Sequence, residues 1–232
     1  MRKKTLQIDG IPAILWGEPS EKILLAVHGK LGCKEEASLL AELVHPHGWQ
    51  VMSIDLPEHG ERKDKKTPLV PGTVVPELNA VLTFLRGHWA QIGLYANSIG
   101  AYFSLLAFSE ERLAQSLFVS PVLDMTKLIE TMMGWAGVTS ERLEAEGEIP
   151  TAFGETLSWE YFCYAKAHPV SRWDTPTEIL YAGTDTLTAR DTVDDFSRRF
   201  GCGLTVMEDG EHWFHTEEQV AFLRGWLRGK VR

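Results

Sequence analysis

The stretch Leu94-Tyr95-Ala96-Asn97-Ser98-Ile99-Gly100-Ala101 decides how this chain is read. An apolar run from Ile92 to Ala96 has the composition of a buried strand, and Ala101 to Phe108 has the length and composition of a helix. Between them stands a serine with a small residue two places before it and a glycine two places after it. Strand, tight turn and helix in that order push a turn serine's hydroxyl out at the end of a sheet. Small residues are needed at positions 96 and 100 because the turn brings two backbones close together. Ser98 is therefore the candidate nucleophile. The same pattern also serves as a plain strand-to-helix turn whose hydroxyl caps the helix, so the rest of the chain has to supply the partners of a reactive serine.

Those partners are a base and an acid that orients the base. Glu178 to Asp185 is an apolar run ending in a turn that carries a carboxylate, and Leu204 to His212 is a second run ending in a turn that carries an imidazole. The chain order Ser98, Asp185, His212 is the one that accompanies a strand-turn-helix nucleophile. His215 is the neighbouring ring and is read as part of the first turn of the closing helix. Attack on a carbonyl also needs backbone N–H groups aimed at the developing oxyanion; losing one costs on the order of 100- to 1000-fold in rate. Ile99, the residue after the nucleophile, offers one. The strand Ile23 to Val27 runs into His28-Gly29-Lys30-Leu31-Gly32, where Gly29 permits a sharp turn and Lys30 offers the second. His28, alone at a strand end, is read as a hydrogen-bonded structural residue rather than a metal ligand.

His28-Gly29-x-x-Gly32, Asp55-Leu56-Pro57-Glu58-His59-Gly60, Ser98-x-Gly100, Gly183-x-Asp185 and Gly210-x-His212 follow one another along the chain. Together they resemble the α/β-hydrolase superfamily, from about Lys22 to Leu227. The resemblance implies an α/β fold in which a mostly parallel sheet is covered by helices on both faces. It implies Ser98 as nucleophile, His212 as base, Asp185 as acid, and the N–H groups of Lys30 and Ile99 as the oxyanion hole. Asp124 stands where some members of the superfamily take their acid, but the Gly183-Thr184-Asp185 turn is the better match. Asp55 and His59 match a stretch that shapes a loop and are read as structural. The departures are Ala96, where glycine is commoner, and Asn97; neither removes a required group.

Composition agrees. A chain of 232 residues, 44% hydrophobic and 24% charged, is long enough to bury a core without a disulfide or metal. A net charge of −9 argues against nucleic acid and against anionic membrane surfaces, both of which select basic faces. Three cysteines, Cys33, Cys163 and Cys202, show no paired spacing, which points to a reducing compartment and no metal site. After Arg2-Lys3-Lys4 the apolar residues are interrupted by Asp9, Gly10 and Pro12, so no secretory signal is expected. No run reaches the roughly 18 apolar residues that span a bilayer. A cytoplasmic protein without a cofactor is expected.

Strands and helices alternate along most of the chain. Leu6–Ile8 and Ala13–Trp16 flank Asp9-Gly10 as a hairpin. Helices are expected over 35–44, 76–85, 192–200 and 220–227, strands over 51–54 and 117–119, and a solvated mixed-charge loop over 61–66. The stretch 122–175 breaks the alternation and carries many methionine and aromatic residues. It is read as a helical cap inserted into a core formed by 1–121 and 176–232, shaping an apolar pocket, although most of its aromatic residues are needed for its own packing. Glu141, Glu144, Glu146 and Glu148 read as a solvated acidic face.

These readings point to a hydrolase cleaving the carboxylic ester of a small to medium, partly apolar substrate. A thioester hydrolase or a peptidase would use the same groups, whereas a dehalogenase would need a carboxylate in place of Ser98. A ligand-binding protein that keeps the fold without catalysis is the alternative of another class.

Overall fold

The Asp9-Gly10 turn, with both residues at positive φ (49° and 81°), joins the antiparallel strands β1 (Lys3–Ile8) and β2 (Ile11–Trp16), as a two-residue hairpin requires. The computed structural model describes residues 1–232. The chain continues through β3 (Lys22–Val27), α1 (Ala37–Val44), β4 (Trp49–Ile54), α2 (Pro71–Arg86), β5 (Gln91–Asn97), α3 (Ile99–Ala107) and β6 (Ser116–Val119). After the intervening segment come β9 (Thr177–Ala182), α7 (Arg190–Phe200), β10 (Gly203–Met207) and α8 (Glu217–Lys230). The eight-stranded sheet runs in the order β1-β2-β4-β3-β5-β6-β9-β10. It is antiparallel at β1–β2 and β2–β4 and parallel from β4 to β10.

Both faces are covered, as the near-continuous apolar strands demand. In β5, Ile92, Leu94 and Ala96 enter one core with Val74 and Leu78 of α2, Phe103 of α3 and Val193 of α7. Tyr95, on the opposite face, enters a second core with Leu40 of α1 and Leu223 and Trp226 of α8. β3 is followed in sequence by β4 on one side, while β5 lies on its other side. Strand order therefore reverses at β3, and the loops leaving β3 and β5 open a crevice at the carboxyl ends of the strands, where ligands bind in such sheets.

Between β6 and β9 the chain forms α4 (Met125–Ala136), α5 (Ser140–Glu146), a two-stranded ribbon of β7 (Glu148–Pro150) and β8 (Thr156–Ser158), and α6 (Trp159–Ala167). The sequence pattern suggests helices alone over this stretch; the ribbon is a finding of the structure. Ile149 and Leu157 pin it to the larger core. α2 begins five residues earlier than its periodicity suggests, because Pro71 takes the first helical position, where its missing N–H is no loss. Arg62 corrects the reading of 61–66 as wholly solvated: it is buried, and its guanidinium donates to both carboxylate oxygens of Glu77 and to the Asp55 carbonyl. No helix is long and apolar enough to cross a membrane.

Candidate active site

Ser98 sits between β5 and α3 at φ 48° and ψ −122°. Residues with side chains rarely adopt this conformation, which costs of order 1–3 kcal/mol. Its neighbours hold it there. The Ser98 N–H donates to the Val119 carbonyl at 3.1 Å, and its own carbonyl accepts from the N–H groups of Ala101 and Val122 at 3.1 Å each. Gly100 is required beside it: a Cβ at that position would lie 2.4 Å from the His28 carbonyl oxygen and 2.7 Å from that of Val27. A Cβ on Gly29 would lie 3.1 Å from the Ser98 Cβ. The loop after β3 thus packs directly against the serine turn.

The loops after β9 and β10 supply the other two side chains. The Gly183 N–H donates to the Met207 carbonyl at 2.8 Å, and the Thr184 N–H donates to the Gly210 carbonyl at 3.0 Å. A Cβ on Gly183 would come within 2.2 Å of the Glu208 carbonyl oxygen, so only glycine allows this approach. The stitching brings Asp185 and His212 together. His212 Nδ1 lies 2.7 Å from Asp185 Oδ2, and His212 Nε2 lies 2.8 Å from Ser98 Oγ. A carboxylate can only accept, so Nδ1 carries the proton and Nε2 is left to accept from the serine hydroxyl. The Asp185 side chain is fully buried, and its other oxygen accepts from the Leu187 N–H at 2.8 Å and the Thr188 N–H at 3.3 Å. These two donors hold the carboxylate in place, and nothing in the sequence pattern pointed to them.

The remaining candidates lie apart from this chain of hydrogen bonds. Asp124 caps α4, accepting from the Lys127 N–H at 3.1 Å. The exposed His215 precedes α8 instead of lying in its first turn; its Nδ1 is 2.7 Å from the Trp213 carbonyl and its ring stacks on Trp213. Ser98 and His212 do not line the pocket between α4, α6 and α7; they stand at the carboxyl ends of the sheet strands.

The loop carrying Lys30 is braced from below by two histidines and a buried ion pair. His28 Nε2 accepts from the Leu56 N–H at 3.0 Å, so its Nδ1 donates to the Gly29 carbonyl at 2.7 Å. His59 does likewise, accepting from the Leu31 N–H at 2.8 Å and donating to the Pro57 carbonyl at 2.7 Å. Burial pushes His28 down to about 4, so the ring stays neutral. Asp55, fully buried, accepts from the Lys34 ammonium at 2.7 Å, the Lys34 N–H at 2.9 Å and the Glu61 N–H at 3.0 Å. Burial works to raise the Asp55 carboxyl, but these donors outweigh it and hold the group below the usual range. The N–H groups of Lys30 and Ile99 meet no acceptor elsewhere in the chain, Ile99 because the first turn of a helix leaves its donors free. Ile99 directly follows Ser98, and Gly29, next to Lys30, packs against the serine turn.

The fold is that of the α/β-hydrolases. Among solved structures, the chain is similar to Est1E from Butyrivibrio proteoclasticus with ferulic acid bound (TM-score 0.78, 19% identity, covering 97% of this chain and 96% of that one). It is similar to an esterase from Pyrococcus furiosus (TM-score 0.71, 18% identity, 99% and 91% covered) and to the thioesterase domain from the curacin biosynthetic pathway (TM-score 0.62, 16% identity, 98% and 99% covered). No protein-family model matches the sequence, and no curated protein matches it significantly.

Proposed function

We propose that this protein is a serine hydrolase that cleaves a carboxylic ester of a small to medium, partly apolar substrate through an acyl-enzyme. The observation that carries this reading is the unbroken run of hydrogen bonds from Asp185 through His212 to Ser98, ending on a serine held at a strained turn. In the proposed reaction His212 Nε2 takes the Ser98 proton as Oγ attacks the ester carbonyl. The oxyanion accepts from the N–H groups of Lys30 and Ile99. His212 then returns the proton to the leaving alcohol. A water activated by the same ring releases the acid and restores Ser98. Asp185 keeps its negative charge throughout, fixing the tautomer and stabilising the imidazolium. The 122–175 segment serves as the cap, and the three unpaired cysteines suit a reducing compartment such as the cytoplasm.

A thioester hydrolase is the second reading, favoured by the likeness to the curacin thioesterase domain. A fluorophosphonate probe tests the common mechanism: it should modify Ser98 stoichiometrically, and His212→Ala should abolish labelling. An unlabelled Ser98 would instead support a ligand-binding protein. A panel of p-nitrophenyl esters of increasing chain length with matched thioesters then decides between the enzymes. Turnover of peptide amides alone would reject both.

A further inference from the structure

Leu31 is 90% exposed and stands at φ 65°, a strained conformation for a leucine that gains no packing within the chain. The His59 ring fixes it there through its N–H. It directly follows Lys30, in the loop that packs against the Ser98 turn. The Lys30 ammonium reaches across to pair with Glu155 of the turn between β7 and β8, 125 residues further along the chain. That turn is tight: the Thr151 N–H donates to the Glu155 carbonyl, and Gly154 adopts φ 88°. Phe153 at its tip is therefore within about 7 Å of Glu155 along the backbone. Phe153 is 42% exposed and meets the half-exposed Trp135 of α4 edge-on, with ring centroids 5.8 Å apart. Exposed apolar side chains scattered singly need no explanation, but a group gathered at a site does. Leu31 is next to Lys30, Phe153 is two residues from Glu155 and Trp135 touches Phe153, so three of the protein's few exposed large apolar residues flank the Lys30–Glu155 pair.

We propose that Leu31, Phe153 and Trp135 form a subsite for the aryl or long alkyl part of the substrate's acyl group, held in register with the oxyanion loop by the Lys30–Glu155 ion pair. The inference rests on the esterase reading and adds the class of acyl group. An apolar group entering there covers Leu31 and the Phe153–Trp135 pair, and so recovers contacts that the strained leucine lacks. The ion pair is exposed, and salt screens such pairs, so the register it sets is adjustable.

The experiment compares kcat/KM for methyl 3-phenylpropanoate and methyl acetate, esters that differ only in the acyl group. In a Phe153→Ala/Trp135→Ala double variant the ratio of the two should fall about five- to tenfold. Glu155→Gln should lower it about two- to threefold at low salt, and salt should have the same effect on the wild type. Both aromatic residues are partly exposed, so the fold should persist; labelling of Ser98 by a small fluorophosphonate checks this. A ratio within twofold of wild type in a double variant that still labels overturns the subsite alone. Failure of the wild type to label overturns the esterase reading and the subsite with it.

Discussion

Ser98 is held where few side-chain-bearing residues go, and the strain is borne by bonds from β6 and by the absence of a side chain at Gly100. Gly100→Ala would drive a methyl group into the carbonyl oxygens of Val27, at the end of β3, and of His28, in the loop that follows it. Overpacking of this kind costs about 1–3 kcal/mol. Thermal unfolding should show the loss, and kcat should fall with it because the clash pushes the loop after β3 away from the Ser98 turn. Asp185→Asn separates chemistry from folding. The amide can still accept from Leu187 and Thr188 but no longer dictates that His212 Nδ1 carries the proton, so kcat should drop by about 10⁴ with the melting temperature little changed. Steady-state kinetics beside calorimetry on the same variant decides this: a loss under tenfold would remove Asp185 from the mechanism. Ser98, Asp185 and His212 were legible in the sequence because each ends an apolar run at a turn, and such endings survive reading in one dimension. The donors to Asp185 and the histidine brace were not, because they are backbone groups whose partners are defined only once distant loops meet.

The loop after β3 carries Lys30, the residue proposed to supply one oxyanion donor, and its brace is sensitive to pH. His28 accepts a backbone N–H at Nε2, so a proton there would face a donor, and burial already pushes the ring down to about 4. In the unfolded chain a histidine titrates near 6.5. Between these values the unfolded chain binds more protons, so stability is complete above about pH 6.5 and declines as pH falls towards 4. The loss is about 3 kcal/mol. Urea unfolding from pH 7 to pH 4 should show this slope. His28→Leu should flatten His28's share of it while lowering stability at pH 7, since it strands the buried Leu56 N–H; an unchanged slope would acquit His28. The principal sheet strands and helices were legible in the sequence from period and length. The ribbon of β7 and β8 was not: strands of three residues, one of them a proline, have no period to detect. The inward turn of Arg62 was equally hidden, since a charge run reads as solvated until a buried carbonyl and Glu77 are known to face it.

Across the whole molecule the site is assembled from loops after β3, β5, β9 and β10, so it spans the sheet from its centre to its edge. The four are not equally secure. β3 lies between two parallel partners, with all but its first residue buried, and β5 is similarly enclosed. β10 pairs only with β9, and four of its five residues are partly exposed. Local stability follows buried contacts, so the edge should open before the centre. His212 is carried by the loop after β10, whereas Trp16 and Trp49 report on the second core around β2, β3 and β4. In a urea titration, activity should therefore be lost at lower concentration than the signal of these buried tryptophans. Hydrogen exchange should find the β10 amides less protected than those of β3 and β5. Coincident activity and fluorescence curves, with equal protection across the sheet, would mean that α8 and the stitched turns at Gly183 and Gly210 hold the edge as firmly as the centre.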